Sequence, residues 1–466
     1  MMATEKKISG KVLAAVVAAG LMSFCGVIVE TAMNITFPTL MKEFQVNTTT
    51  VQWMTTGCLL VIAIVVPLSA ILKKNFPTKG IFLAANLLFI IGAVMDAWAP
   101  SFMILLVGRM IQGIGTGLAL PLMFNIILEQ VPTSKIGLMM GIGSLITAIA
   151  PAIGPTYGGL VVNSLGWRYI FILLLPILVI SLFLGCSAIE QVSALQKTPV
   201  DILSVLSIIL LFSGLIYGFS NLGVQNWFSW SVSGAWLLGV LGLILLIYRS
   251  RVVTSPIVNL QVLTNRRFSG HVISFFFFQL CSLGISFILP NYIQLVNHQS
   301  ATVAGLLVLP GATLGAVLAP FSGQLLDHWG ARKPILWGTS FAVLALLLFT
   351  IFSRHLSGGM IVAIYLLYMA GCGFAFGNIM TSGLQNLTVQ QQADGNAILT
   401  TLQQFAGAMG TSVVAAIIAQ SQKQGQLSNA ANTANGSHNA LLILLVLALI
   451  EWVILFKVVV NNKNTR

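Results

Sequence analysis

The chain has 466 residues, of which 57% are hydrophobic and only 7% charged, against about 25% charged in a typical soluble domain; this excludes a soluble globular protein and indicates a polytopic membrane protein. Its formal charge of +12 would suggest a nucleic-acid partner in a soluble chain, but the basic residues are dispersed over short segments and form no patch. The stretches too polar to span, residues 249–268 and 421–439, are each too short to fold alone, so no nucleic acid is expected as a partner and function must be read from helices and short loops.

A span needs about 20 apolar residues, and fourteen segments qualify. Their limits, accurate to a few residues, are about 12–40, 50–72, 80–98, 102–124, 137–162, 168–188, 202–220, 230–248, 268–293, 302–326, 334–353, 360–386, 397–420 and 440–460. The first is much longer than the roughly 7–15-residue core of a signal peptide and is expected to remain as a helix. An even count puts both termini on one side. If that side is cytoplasmic, it carries seventeen of the 22 Lys and Arg; the far side has Lys42, Arg168, Arg354 and Lys423, and only Arg109 lies within a span. The bias sets the orientation by the positive-inside rule. Trp98, Trp167, Trp227, Trp230 and Trp329 fall at span ends, where interfacial anchors are expected.

Residues 141–159 and 108–117 combine apolar character with many glycines and the prolines Pro151 and Pro155. At about 100° per residue, Gly143, Gly154 and Gly158 fall on one bare face along which another helix can approach. Cys25, Cys58, Cys186, Cys281 and Cys372 lie in apolar spans without redox or metal-ligand spacing and read as small buried hydrophobes. His271, His298, His328, His355 and His438 are scattered and offer no metal pair. The glycines from Gly113 follow no strand and precede no Lys, so they form no phosphate loop, and no ATP-binding motif is present. Nucleophile, base and orienting group are not found together, so an enzyme is not expected.

An internal echo points to related halves. Residues 69–80 follow the second span and residues 322–333 the tenth; laid together, Leu72 meets Leu325, Lys74 meets Asp327 and Lys79 meets Arg332. Six helices would then precede an inserted pair and six follow it, dividing the chain at 1–190, 191–265 and 266–466. Repeated bundles of this kind hold substrate at their interface near the midplane.

The order and content resemble the major facilitator superfamily, and within it the fourteen-helix drug:proton antiporters of the EmrB/QacA type. Glu30, Thr31, Asn34 and Pro38 are similar to that family's first-helix motif; Gly108, Arg109, Gln112 and Gly113 to its fourth-helix motif. Gly154, Pro155, Gly158 and Gly159 resemble the fifth-helix antiporter motif, and Gly323, Leu325, Asp327, Gly330, Arg332 and Lys333 the cytoplasmic loop motif of the second half. The resemblance implies an all-α membrane protein of two six-helix bundles plus an inserted pair. The first-half loop departs from the pattern, with Ala70, Lys74 and Pro77 in place of glycine, aspartate and glycine, and the first-helix acid is Glu instead of the commoner Asp.

A carboxyl at membrane depth costs about 2.5–3.5 kcal/mol on insertion scales, so each requires a reason. Of ten acids, only Glu30, Asp96 and Glu451 fall within spans. Glu30 shares a helix face with Asn34, four residues on. An acid there, desolvated when the site is empty, is placed to exchange a proton for a cationic substrate near neutral pH; the structural alternative is a carboxyl bonded to a neighbouring helix. Arg109 serves proton relay in one reading and, in the other, is a buried Arg satisfied by backbone carbonyls or by Gln112. Asp96, beside Trp98, is expected to be a hydrated acid at a helix end, with an outer proton entry as the alternative. Glu451 lies near the middle of the last span, where packing or snorkelling is expected over a transport role. The aromatic run Phe275 to Phe278 reads as core or as cavity wall; Gln279, Asn291, Asn378, Gln385, Gln403 and Gln404 read as cavity lining or interhelical bonds.

The expectation is a bacterial plasma-membrane exporter of lipophilic cationic or neutral compounds, driven by a proton gradient with sodium as the alternative ion, without a cofactor and working as a monomer. Glu30, Asn34, Arg109 and Gln112 would form the coupling and substrate site. Gly141, Gly154, Pro155, Gly158, Gly159, Asp327, Gly330 and Arg332 would shape the movement of one bundle on the other, with Asp96 and Glu451 as secondary acids. The competing expectations are export of a dedicated amphipathic metabolite, lipid or peptide, and a membrane sensor that transports nothing.

Overall fold

The computed structural model describes residues 9–132, 136–192, 194–195, 199–222, 225, 228–253, 256–424 and 428–460. They fold into sixteen helices: α1 (Gly10–Phe44), α2 (Thr48–Val51), α3 (Trp53–Asn75), α4 (Thr78–Ala97), α5 (Phe102–Gln130), α6 (Ile136–Ser164), α7 (Tyr169–Ile172), α8 (Leu175–Ala188), α9 (Ile202–Asn221), α10 (Trp230–Val252), α11 (Arg266–Leu295), α12 (Ala301–Trp329), α13 (Arg332–Phe352), α14 (Gly358–Gln385), α15 (Val389–Gln424) and α16 (Asn429–Val460). Among the described residues, thirteen helices are long and apolar enough to cross a membrane. In hydrocarbon the backbone must satisfy itself, which a helix does along its whole length. The exposed apolar side chains of α8, α10 and α16, such as Phe183, Leu241 and Ile450, are the lipid-facing surface.

In the polar stretch before the last span, residues 421–424 and 429–439 are helical, contrary to their composition. α15 runs on to Gln424 and α16 begins at Asn429. Their side chains bond locally: Gln422 Nε2 donates to Thr433 Oγ1 at 2.9 Å, Thr433 to the Asn429 carbonyl at 2.7 Å, and Ser353 and His438 Nδ1 lie 2.7 Å apart. Trp167 is another departure. It is 2% exposed, and its Nε1 donates to Glu43 at 2.7 Å, because Arg168 folds over its ring and closes the same carboxylate. Trp98 and Trp230 are exposed, as anchors should be; Trp227 lies outside the described residues.

α1 packs on α5, α6 and α8, and α11 on α14, α15 and α16. Between these groups α6 meets α12, α3 meets α15, and α1 meets α11. The contacts are closest at the end of the molecule where α1 finishes and α3 begins. There Thr302 Oγ1 donates to the Gly159 carbonyl at 2.9 Å, Thr156 Oγ1 to the Gly305 carbonyl at 3.1 Å, and Gln294 Nε2 to the Ile35 carbonyl at 2.9 Å. Thr56 and Thr411 hydroxyls lie 2.8 Å apart, and Phe37 stands 5.3 Å from Phe287.

α9 and α10 pair through glycines: a Cβ at Gly214 would lie 2.5 Å from the Gly239 nitrogen, and one at Gly242 2.4 Å from the Leu211 nitrogen. Their shared end is closed by Arg249, whose Nε and Nη2 each donate to Asp201 at 2.9 Å. This bidentate partner holds the Asp201 carboxyl below its usual range, more than burial raises it. A depressed carboxyl stabilises the fold above its unfolded value of about 3.9 and loses that effect as pH falls through the folded value. Arg249→Ala is therefore expected to lower the melting temperature at pH 7, with the difference from the parent shrinking as pH falls below the ordinary carboxylate range, as thermal melts across pH would show.

Candidate functional site

The glycines of α5 bring four helices close together. A Cβ at Gly113 would lie 2.9 Å from the Cys58 carbonyl of α3, one at Gly115 2.6 Å from the Ala85 carbonyl of α4, and Gly26 of α1 rests on Thr116 with a Cβ distance of 2.6 Å. Side chains that a bulkier helix would hold apart thus gather around α5. Glu30 is half-buried on α1, one turn beyond Gly26, and Asn34 beyond it is 2% exposed. Asn34 Oδ1 accepts from Thr55 Oγ1 at 3.1 Å. From α5, Arg109 is 1% exposed and donates through Nη1 to Gln112 Oε1, while its Nε and Nη2 have no acceptor. The Arg109 charge acts on both Glu30 and Asp96, and Cys58 lies within the fields of all three. The structure therefore brings Glu30, Asn34, Arg109 and Gln112 to one place, and satisfies Arg109 only in part through Gln112.

Asp96 belongs to the same cluster, which corrects the expectation of a hydrated helix end. It is 0% exposed, because the last turn of α4 lies flat on Gly108. Ala85, Phe89, Gly92 and Asp96 follow the helical period and share the face of α4 that packs on α5. Glu451 is also buried, 2% exposed with Oε1 unpartnered, so it does not snorkel. It lies toward Cys281, Cys372 and Tyr368, away from the Glu30 cluster.

The glycine seam of α6 divides its contacts. Gly154 and Gly158 face α1, where Cβ atoms would lie 1.9 Å from Thr31 Oγ1 and 2.5 Å from the Ala32 carbonyl. Gly159 faces α12, 2.4 Å from the Ala301 carbonyl, and Gly305 of α12 answers by resting on Pro155, 2.4 Å from its carbonyl. Gly143, expected on the Gly154 face, instead meets Met123 and Phe124 of α5. Gly330 ends α12 with φ 73°, a left-handed conformation that glycine adopts without strain, and Arg332 opens α13. The surroundings of Gly141 and the Asp327 side chain lie outside the described residues. The four cysteines Cys25, Cys58, Cys281 and Cys372 are buried and free; Cys186 is half-buried. Phe275 and Phe278 are core, both against Phe376, and Asn378 bonds across helices to the Ser322 carbonyl at 3.2 Å.

An all-helical, multi-pass chain with ionisable groups gathered deep between its helices shares its fold with several solved structures. A bacterial homolog of the human lysosomal transporter Spinster, in its inward-facing form, superposes with a TM-score of 0.72 at 13% identity, covering 98% of this chain and 99% of that one. A D-xylose-proton symporter superposes at 0.65 with 14% identity, covering 95% and 96%. Residues 19–411 match the Major Facilitator Superfamily, and the chain belongs to it. Among its relatives, the lincomycin resistance protein LmrB of Listeria innocua is 36% identical over 409 residues, 88% of this chain and 87% of that protein. LmrB of Bacillus subtilis is 36% identical over 414 residues, 88% and 86% of the two chains. The protein is a transporter and not an enzyme.

Proposed function

We propose that this chain is a proton-coupled antiporter of the EmrB/QacA type that exports lipophilic cationic or neutral compounds from a bacterial cell. The observation that carries the reading is Glu30, a half-buried carboxyl on α1 within the field of Arg109, in a chain 36% identical to proteins named for lincomycin resistance. Protonation of Glu30 biases one facing and substrate the other, so that each ligand moves a two-state equilibrium by its differential affinity. The movement is a rocking of two six-helix bundles, residues 1–190 and 266–466, with residues 191–265 contributing the inserted pair and α6 completing fourteen spans. Both termini are cytoplasmic by the positive-inside rule, which makes the bonded end of the seam external and this conformation closed to the outside. The protein acts as a monomer and uses no cofactor. Engagement of Asn34 Oδ1 by Thr55 leaves that oxygen less free for sodium, which favours the proton.

The deciding experiment is flux of a cationic dye and of lincomycin from proteoliposomes under separately imposed pH and sodium gradients. Export driven by the pH gradient alone is the expected result. Export driven only by sodium would replace the coupling ion, and absence of flux with either compound would favour a dedicated metabolite as substrate.

A further inference from the structure

Asp96 is fully buried near the end of α4. Neither of its oxygens has a hydrogen-bond donor, and a Cβ at Gly108 would lie 2.0 Å from Oδ1, so only a glycine makes room for this carboxyl. On the adjoining residue, Arg109 Nε and Nη2 are equally unmet, as is Gln112 Nε2. A carboxylate and a guanidinium this near in low dielectric attract strongly, and leaving both charges buried and unpaired is among the costliest arrangements a protein can adopt. Yet among the described residues no ion pair joins them. A neutral, proton-bearing acid resolves the conflict, since it has no charge to be met and can remain apart from Arg109.

Helix register adds the direction. Gly26 lies on Thr116, which sets Glu30, one turn on, roughly level with Gln112; Asp96 lies on Gly108. Four residues of α5 separate those levels, about 6 Å at the helical rise, and Asp96 is the one nearer the end where α1 finishes. We infer that Asp96 is a second proton-carrying carboxyl, standing between the external face and Glu30 and exchanging protons with Glu30 across Arg109. The proton leaves the Asp96 O–H for the Glu30 carboxylate, directly or through water, and the carboxylate left on Asp96 is neutralised by Arg109 turning from Gln112. Only O–H bonds break and form. The charged group acting on Asp96 is Arg109 from α5, and Cys58 of α3 lies within the fields of Arg109, Glu30 and Asp96. From α8 the uncharged Ser181 hydroxyl meets α4, accepting from Asn86 Nδ2 at 3.0 Å, and Tyr169 of α7 is exposed.

The inference rests on the export reading for its direction but not for the proton itself, so two measurements are needed. Infrared pH titration of the full chain in lipid, without substrate, is expected to show a protonated-carboxyl band that Asp96→Asn removes and Asp96→Glu retains at a shifted frequency. In proteoliposomes with ethidium as the exported dye, Asp96→Asn is expected to slow dye-driven proton movement without changing the proton-to-dye ratio, Asp96→Glu to restore the rate, and Glu30→Gln to abolish dye-driven proton movement. Size exclusion and melting temperature identify any variant that misfolds; if Asp96→Asn does, the Asp96→Glu frequency shift decides. An unchanged band in both variants, or an unchanged rate of dye-driven proton movement in a folded Asp96→Asn protein, overturns the proposal. A normal band with no ethidium-driven proton movement in the parent overturns the export reading and leaves the proton site standing.

Discussion

Glu30→Gln is expected to abolish concentrative export while leaving the protein folded. Gln preserves the shape and polarity of the side chain, and Glu30 makes no ion pair among the described residues whose loss would strand a partner, so melting temperature should move little. The driving force, however, disappears. One pH unit is worth about 1.4 kcal/mol per proton, which for each coupled proton sustains about a tenfold ratio of a neutral substrate across the membrane. The variant should instead let its substrate equilibrate to a ratio of one, by counterflow exchange if binding survives. Glu30→Asp keeps the charge on a shorter stem and is expected to retain coupled transport at a reduced rate. Steady-state accumulation of lincomycin in everted vesicles, across imposed pH steps, reads both effects. Gradient-driven accumulation by the Gln variant would remove Glu30 from the coupling machinery.

Gly159→Ala is expected to open the external end, because the new methyl group would meet backbone. A Cβ there lies 2.4 Å from the Ala301 carbonyl and 3.1 Å from Thr302 Cα, and neither atom can rotate away. α6 and α12 must part by about 1 Å to reach ordinary contact, which stretches the Thr302 and Thr156 hydrogen bonds across the seam. Overpacking of this kind costs about 1–3 kcal/mol, roughly a tenfold to hundredfold shift of the equilibrium toward the outward-open form. Gly158→Ala, one residue away, pushes instead on the Ala32 carbonyl at 2.5 Å within the α1–α6 pair, and should lower the yield of folded protein without favouring either facing. Labelling of a Thr302→Cys protein with an impermeant maleimide separates the two: faster labelling with Gly159→Ala and no change in rate with Gly158→Ala. Equal rates in both would show that the seam is not what closes that end.

The residues that hold the two sides of the seam together carry no charge in most cases, which is why motif reading overlooked them. Thr56, Thr411, Thr302 and Thr156 look like ordinary polar residues in apolar spans, and a hydroxyl reveals its partner only when two helices have been placed. Asp96 was misjudged for a related reason. Counting residues to the helix end suggested hydration, whereas the glycine opposite it on α5 decided burial.

The resemblance of its motifs singled out Glu30, Asn34, Arg109 and Gln112; by itself the sequence determined the membrane setting and the helix limits to within a few residues over most of the chain. These follow from hydropathy, helical period and the rarity of ionisable residues in apolar spans, all of which act locally along the chain. Only the tertiary structure decided which face of each helix meets which neighbour. It assigned Gly154 and Gly158 to α1 and Gly159 to α12, buried Trp167 and Asp96, and extended α15 and α16 into the polar stretch between their spans. Those outcomes depend on pairs of residues far apart in the chain whose fit is set by atomic contact: a missing Cβ on one helix matters only because of what the other helix places against it.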